Sequence, residues 1–225
     1  MEKRIGYYLA FAVLVFGTCR EKEKMPEQAL SASPAVLLRQ GNERFYSGAS
    51  IHPHTSLVRM RELAKAQHPF AIVISCSDSR APDEIIFDQG LGDLFVIRTA
   101  GNVIADIGLG SIEYAVEHLG VHYILIMGHE QCGAVKAFAD HAHPDNHIST
   151  ILDTLTNEKE ITQVEGTDEK DEYIASVVRA NVRHQMNKIR TSSPDFSKKV
   201  AEGKIVVEGA TYDIETGRVL FLSEN

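Results

Sequence analysis

Three residues able to bind a soft metal stand at the ends of two apolar runs. Phe70-Ala71-Ile72-Val73-Ile74 leads into Ser75-Cys76-Ser77-Asp78-Ser79-Arg80, and Tyr123-Ile124-Leu125-Ile126-Met127 leads into Gly128-His129-Glu130-Gln131-Cys132-Gly133. Two thiolates and one imidazole suit zinc, and three protein donors leave one tetrahedral position for water or substrate. A closed structural site more naturally recruits a fourth cysteine or histidine. The only further cysteine is Cys19, near the start of the chain. The count therefore favours an open, catalytic centre with Cys76, His129 and Cys132 as ligands. Asp78 is a chemically acceptable fourth ligand. Arg80, two residues on, can pair bidentately with it and hold its carboxylate off the metal. So held, Asp78 can accept a hydrogen bond from a metal-bound hydroxide and orient it.

Each residue alone has an ordinary reading. Cys76 is a small buried hydrophobe, His129 a helix-start residue, and Asp78 an Asx-turn or helix N-cap. Their conjunction beyond two buried strands outweighs these readings, because ligand sites of open α/β sheets cluster at the carboxyl ends of strands. His129 and Cys132, three apart, share a face if the next helix starts there. Gly128 and Gly133 permit close backbone turns around the site. A cysteine-phosphatase loop needs arginine six positions after Cys76, where Pro82 stands. Gly90-Leu91-Gly92 lacks the lysine or third glycine of a nucleotide loop.

The elements that must position these residues alternate in type. Ala35 to Phe45 and Val58 to Ala66 read as opening helices, parted by Gly48 and His52-Pro53-His54. Strands follow at Phe70–Ile74, Leu94–Ile97 and Tyr123–Met127, their continuous apolar runs marking burial on both faces. Leu109, Ile112, Val116 and Leu119 repeat at helical spacing and Gly120 stops that helix. Asp171 to Ile189 forms a long amphipathic helix, and Pro194 interrupts the next segment. Lys204–Val207 and Val219–Leu222 read as strands around a turn at 213–217, an edge hairpin. The expected fold is α/β: a mostly parallel central sheet flanked by helices, with N-terminal helices and the C-terminal hairpin at its edge.

The composition narrows the class. The apolar fraction is 44% and the charged fraction 24%, values of a globular chain, and 225 residues hold one well-packed domain. A net charge of −8 offers no basic excess to replace phosphate counterions, so no nucleic acid is expected as partner. Lys3 and Arg4 precede an apolar run from Ile5 to Gly17, too short to span a bilayer comfortably, and a charged stretch follows. This describes an export signal. Phe16-Gly17-Thr18-Cys19 resembles a bacterial lipobox, although Phe16 and Thr18 depart from the leucine and small residue common there. The expected organisation is an export signal at 1–19 with Cys19 as lipidation candidate, a charged tether at 20–30, and a catalytic domain at 31–225. The protein is then periplasmic, tethered to a bacterial membrane by lipid alone.

The two metal-bearing segments closely resemble those of the beta-class carbonic anhydrases. So do Arg98-Thr99-Ala100-Gly101-Asn102, Ile112-Glu113-Tyr114-Ala115-Val116 and Val207-Glu208-Gly209-Ala210-Thr211-Tyr212-Asp213. The likeness spans about residues 35–223. It implies one zinc ion per subunit on Cys76, His129 and Cys132, and Asp78 with Arg80 as the catalytic dyad. The reaction it implies is reversible hydration of carbon dioxide to bicarbonate by attack of zinc-bound hydroxide. It also implies a homodimer or dimer of dimers. Gln67, Phe95 and Tyr114 match the substrate pocket of the plant-like, constitutively open subgroup, where such residues meet at a dimer interface. Ala100 stands where a larger aliphatic residue commonly narrows that pocket. Two competing functions share the scaffold: hydrolysis of carbonyl sulfide or carbon disulfide, and noncatalytic binding on a zinc-stabilised fold. No single proton shuttle emerges, and His118, His122, His141, His143 and His147 read as solvent-facing.

Overall fold

The computed structural model describes residues 32–166 and 169–223. The expected export signal at 1–19 with Cys19 and the expected charged tether at 20–30 lie outside the described residues.

Two short helices open the fold. In α1 (Pro34–Tyr46) the Ser33 hydroxyl accepts from the Val36 amide and Pro34 occupies the first turn, where its missing N–H costs nothing. Ser56 caps α2 (Leu57–Leu63) in the same way. The sheet comprises β1 (Ala71–Cys76), β2 (Leu94–Thr99), β3 (Tyr123–His129), β4 (Val206–Tyr212) and β5 (Val219–Phe221), in the order β2-β1-β3-β4-β5. The first four strands run parallel and β5 pairs antiparallel with β4 at the edge. The expected α/β architecture and its edge hairpin are therefore present. Helix α3 (Asp83–Ile86) lies between β1 and β2, and α4 (Asp106–His118) between β2 and β3. After β3 come α5 (Gly133–Ala139), α6 (Ile148–Thr156), α7 (Lys159–Thr162), α8 (Lys170–Arg190) and α9 (Pro194–Ala201).

Alternation along the strands builds two cores. Ile72, Ile74, Ile124 and Ile126 face α4, α8 and α9, meeting Ile112, Val116, Val182, Met186 and Phe196. Val73, Leu125 and Met127 face the opposite layer, with Leu38 of α1 and Ile86 of α3. Each wholly buried isoleucine contributes about 1.5–3 kcal/mol. That burial on both faces explains why β1 and β3 read as unbroken apolar runs. Among the described residues no helix is long and apolar enough to cross a membrane.

Several boundaries differ from the sequence expectation. Both central strands run further, so Cys76 and His129 are their last residues rather than the first residues beyond them. Backbone pairing extends through the polar residues on the outer side of each strand, where β2 pairs with β1 as far as Cys76 and β4 with β3 as far as His129, while the β1/β3 pairing stops at Ile74 and Ile126. Strand β4 starts at Val206 and runs to Tyr212, later than Lys204–Val207. Pro194 begins a helix instead of interrupting one, since Ser193 caps it by accepting from the Phe196 amide.

Gly128 serves helix approach rather than a turn. A Cβ there would lie 2.7 Å from Val178 Cγ1 and 2.8 Å from Val182 Cγ2, so α8 packs directly on the β3 backbone beside His129. Gly133 has open space around it and needs no such reading. Gly128→Ala is expected to cost about 1–3 kcal/mol through overpacking. A lower urea midpoint with unchanged slope is the readout; an unchanged midpoint counts against the close approach.

Candidate metal centre

Sheet order decides where the donors meet. From β1 the chain moves to β2 on one side and then crosses to β3 on the other. The β1/β3 boundary is a topological switch point, with a crevice outside the carboxyl ends of the two strands. Cys76 ends β1 and His129 ends β3 there. Cys132 follows through a turn in which Gln131 has a left-handed φ of 57°, and it occupies the N-cap position of α5. The expectation that His129 and Cys132 share a helix face is thus not met: one closes a strand, and a turn delivers the other. The Glu130 amide anchors that turn by donating to the Tyr212 carbonyl of β4 at 2.9 Å.

All three side chains are buried, and their ligand atoms lie within 4.8 Å of one another. His129 Nδ1 is 2.7 Å from the Glu130 carbonyl oxygen, which can only accept. Nδ1 therefore carries the proton, and Nε2 presents its lone pair to the two sulfurs. Nε2 is buried without a hydrogen-bond partner, a costly state that a metal relieves. Cys76 is held well below the ordinary thiol range because the Cys132 thiol donates to it, with His129 adding to the effect against burial. Cys132 is correspondingly pushed up by Cys76 and by burial. Two sulfurs, Cys76 favouring the thiolate, with the imidazole Nε2 beside them form a donor set for a thiophilic divalent ion. The residues fit zinc.

Asp78 sits at the rim. Its Oδ1 accepts from the Arg80 amide at 2.9 Å and from Arg80 Nε at 3.0 Å, and its Oδ2 accepts from Arg80 Nη2 at 2.8 Å. The guanidinium holds this carboxyl well below the usual carboxylate range. Oδ2 nonetheless lies only 3.8 Å from His129 Nε2, so the carboxylate borders the ligand cluster while both its oxygens are engaged.

The segment between these groups is fixed from two sides. Arg98 of β2 donates from Nε to the Cys76 carbonyl at 3.0 Å and from Nη2 to the Asp78 carbonyl at 2.7 Å. The Gly101 amide, in a turn with φ 68°, donates to Cys76 Sγ at 3.3 Å. The wholly buried Asn181 of α8 holds that turn by donating to the Gly101 carbonyl at 2.8 Å. Gln185, one helical turn on, donates to Asn181 Oδ1 and accepts from the Ile104 amide. Sequence reasoning quoted Arg98 and Gly101 only within a motif and missed Asn181 and Gln185. Two amides on the core-facing stripe of α8 were the available signal.

The sequence profile described as carbonic anhydrase matches residues 71–219, which contain every group described so far at this centre. The chain belongs to the carbonic anhydrase family. Carbonic anhydrase 2 of Mycobacterium tuberculosis is 38% identical over 187 residues, covering 81% of this chain and 88% of the relative. A carbonic anhydrase of Mycolicibacterium smegmatis is 39% identical over 186 residues with the same coverages. Among solved structures, a beta-carbonic anhydrase of Aspergillus fumigatus superposes with a TM-score of 0.67 at 30% identity, covering 82% of this chain and 89% of that one. One of two tetrameric beta-carbonic anhydrases of Sordaria macrospora gives a TM-score of 0.67 at 28% identity, covering 82% and 95%. The fold is that of the beta class, and zinc is the metal the Cys-His-Cys cluster is positioned to bind.

The pocket residues that family resemblance implies are not all drawn to this centre within one chain. Ala100 is: it follows Thr99, the register partner of Cys76, and is exposed. Phe95 pairs instead with Ile72, four residues up the strand, or about 13 Å away at the rise of a parallel strand. Tyr114 of α4 stands beside Phe95, ring centroids 6.5 Å apart, and is 48% exposed. Gln67 is exposed in the loop before β1, toward the same distant end of the sheet. His118, His122, His141, His143 and His147 are exposed, as expected.

Proposed function

We propose that this protein catalyses zinc-dependent, reversible hydration of carbon dioxide to bicarbonate and a proton. One observation carries the reading: three buried donors converge around an unpartnered imidazole nitrogen, while Arg80 holds the adjacent Asp78 carboxylate with Oδ2 still able to accept a second hydrogen bond. Cys76, His129 and Cys132 hold the metal. Zinc bound there supplies a Lewis acid with an open position and makes a coordinated water acidic enough to serve as nucleophile.

The chain's own groups do the rest. Asp78, oriented by Arg80, accepts a hydrogen bond from the attacking water and aims its remaining lone pair at carbon. Ala100 and Phe95 provide apolar walls, and Gln67 donates to a carbon dioxide oxygen. Tyr114 belongs to the same pocket and supports a water chain. Because Gln67, Phe95 and Tyr114 lie far from the ligands of their own chain, the pocket is completed by a second copy, in a homodimer or dimer of dimers. Two features support association. Strand β2 is an edge of the sheet, and Ile107 (88% exposed), Leu57, Val58 and Tyr114 leave apolar surface uncovered. The Gln67/Tyr114 pair supports membership of the constitutively open, plant-like subgroup.

The charged-then-apolar N-terminus and the lipobox-like ending at Cys19 support export at 1–19, a tether at 20–30, and a periplasmic, lipid-anchored catalytic domain from 31 onward. A stopped-flow carbon dioxide hydration assay on metal-quantified protein tests the function, with carbonyl sulfide and carbon disulfide in parallel. Rapid hydration proportional to zinc content is expected. A zinc-loaded protein that leaves carbon dioxide untouched overturns the reading, and turnover of the sulfur compounds alone replaces it.

A further inference from the structure

Beneath the metal loop lies a carboxyl group that the reaction as described does not use. Asp83, the first residue of α3, is wholly buried. The Ser75 hydroxyl donates to its Oδ2 at 2.7 Å, and Oδ1 has no hydrogen-bond partner. Arg98 Nε lies 4.0 Å from the same Oδ2. Ser75 and Arg98 are register partners across β1 and β2, so the three groups form one unit under the strand ends. Arg98 is also the residue whose guanidinium holds the Cys76 and Asp78 carbonyls. The charges acting on Asp83 are Arg98 from β2, which attracts, and Glu84 from its own helix, which repels; from β1 the Ser75 hydroxyl faces it.

We propose that Asp83 is a positioning residue for the metal loop, acting through Ser75 and Arg98 on the backbone that carries Cys76 and Asp78, and that its ionisation tightens this hold. An ionised Asp83 gives the Arg98 guanidinium a fixed counter-charge from below, while its donors stay on the two carbonyls above. A neutral Asp83 removes that anchor. Burial is the largest influence on the group and pushes it up to about 7, against the Ser75 hydroxyl and Arg98. The two forms therefore exchange within the pH range in which a proton-releasing enzyme works. The sign for stability is opposite to that for function. A raised carboxyl contributes no penalty below the ordinary carboxylate range, and its cost grows with pH until it is complete above about pH 7. Ionisation loosens the fold as a whole while ordering the site.

The test compares the wild type with Asp83→Asn, which keeps the Ser75 acceptor and loses the charge. In activity terms it rests on the hydration reading, so two measurements independent of turnover accompany it. The wild-type to variant ratio of hydration rates is expected near 1 below about pH 5 and to rise to roughly 10 above pH 8. The melting temperature of the variant should exceed that of the wild type by about 5 °C above pH 7, with the gain vanishing near pH 4. Infrared difference spectra should show a buried protonated carboxyl stretch that disappears with a midpoint near pH 7 and is absent in Asp83→Asn. Ser75→Ala, which removes a hydrogen bond to the ionised form, should move that midpoint upward. A rate ratio level across pH, or a carboxyl midpoint below about pH 5, overturns the proposal. If the wild type hydrates no carbon dioxide at all, the hydration reading fails, and the infrared and thermal measurements still decide the state of Asp83.

Discussion

Cys76→Ser strips the protein of most of its zinc and nearly all of its hydration activity. A serine hydroxyl is a far weaker, harder donor than a thiolate, and its proton is not given up near neutral pH. The Gly101 amide, which now donates to Cys76 Sγ, would face an oxygen on a shorter bond. Outer-shell changes alone cost 10- to 100-fold in metal affinity, so loss of a ligand should exceed about 100-fold. Inductively coupled plasma analysis after dialysis gives the metal content. Thermal melting gives an independent check, because a metal that binds only the folded state stabilises it by mass action. Chelator should lower the melting temperature of the wild type and leave the variant unchanged. Near-stoichiometric zinc in Cys76→Ser would remove Cys76 from the ligand set and the proposed function with it.

The ligands were legible because their types are rare and they sit beyond runs that could only be buried strands. Ile72, Val73 and Ile74, like Ile124, Leu125 and Ile126, are wholly buried, and burial on both faces erases the alternation a half-exposed strand shows. The exact strand ends were not legible. Ser75 and Cys76 on β1, and Gly128 and His129 on β3, look like loop by residue type, yet β2 extends the pairing through the first two and β4 through the second two. Pro194 was misread because proline is both a helix breaker and a favoured first helical residue, and Ser193 decides between the two. Asp83 left no sequence signal: an acid in the first turn of a helix ordinarily faces water. Only the packing of α3 against the sheet carries it inside. The separation of Phe95 from the ligands was equally hidden, since it depends on the β1/β2 register.

Asp78→Ala should keep its zinc and lose its rate. The carboxylate is not among the three convergent donors, and removing it leaves Cys76, His129 and Cys132 intact. What disappears is the acceptor that orients the nucleophile, and positioned acceptors of this kind are worth about 10²–10⁴ in rate. Arg80→Ala is the more revealing partner. With the guanidinium gone, the Asp78 carboxylate loses the hydrogen bonds from Arg80 Nε and Nη2, keeps the one from the Arg80 amide, and stands 3.8 Å from His129 Nε2, within a side-chain rotation of the ligand cluster. The freed carboxylate then fills the open coordination position, and the variant retains zinc but shows a low rate and no exchangeable water in a cobalt-substituted spectrum. Because Arg80 acts through Asp78, the double variant Asp78→Ala/Arg80→Ala should be no slower than Asp78→Ala alone, and its cobalt spectrum should again show an open site. Additive losses in the double variant would mean that Arg80 contributes on its own account, and that the dyad is two separate functions rather than one device for keeping a carboxylate close to the metal and off it.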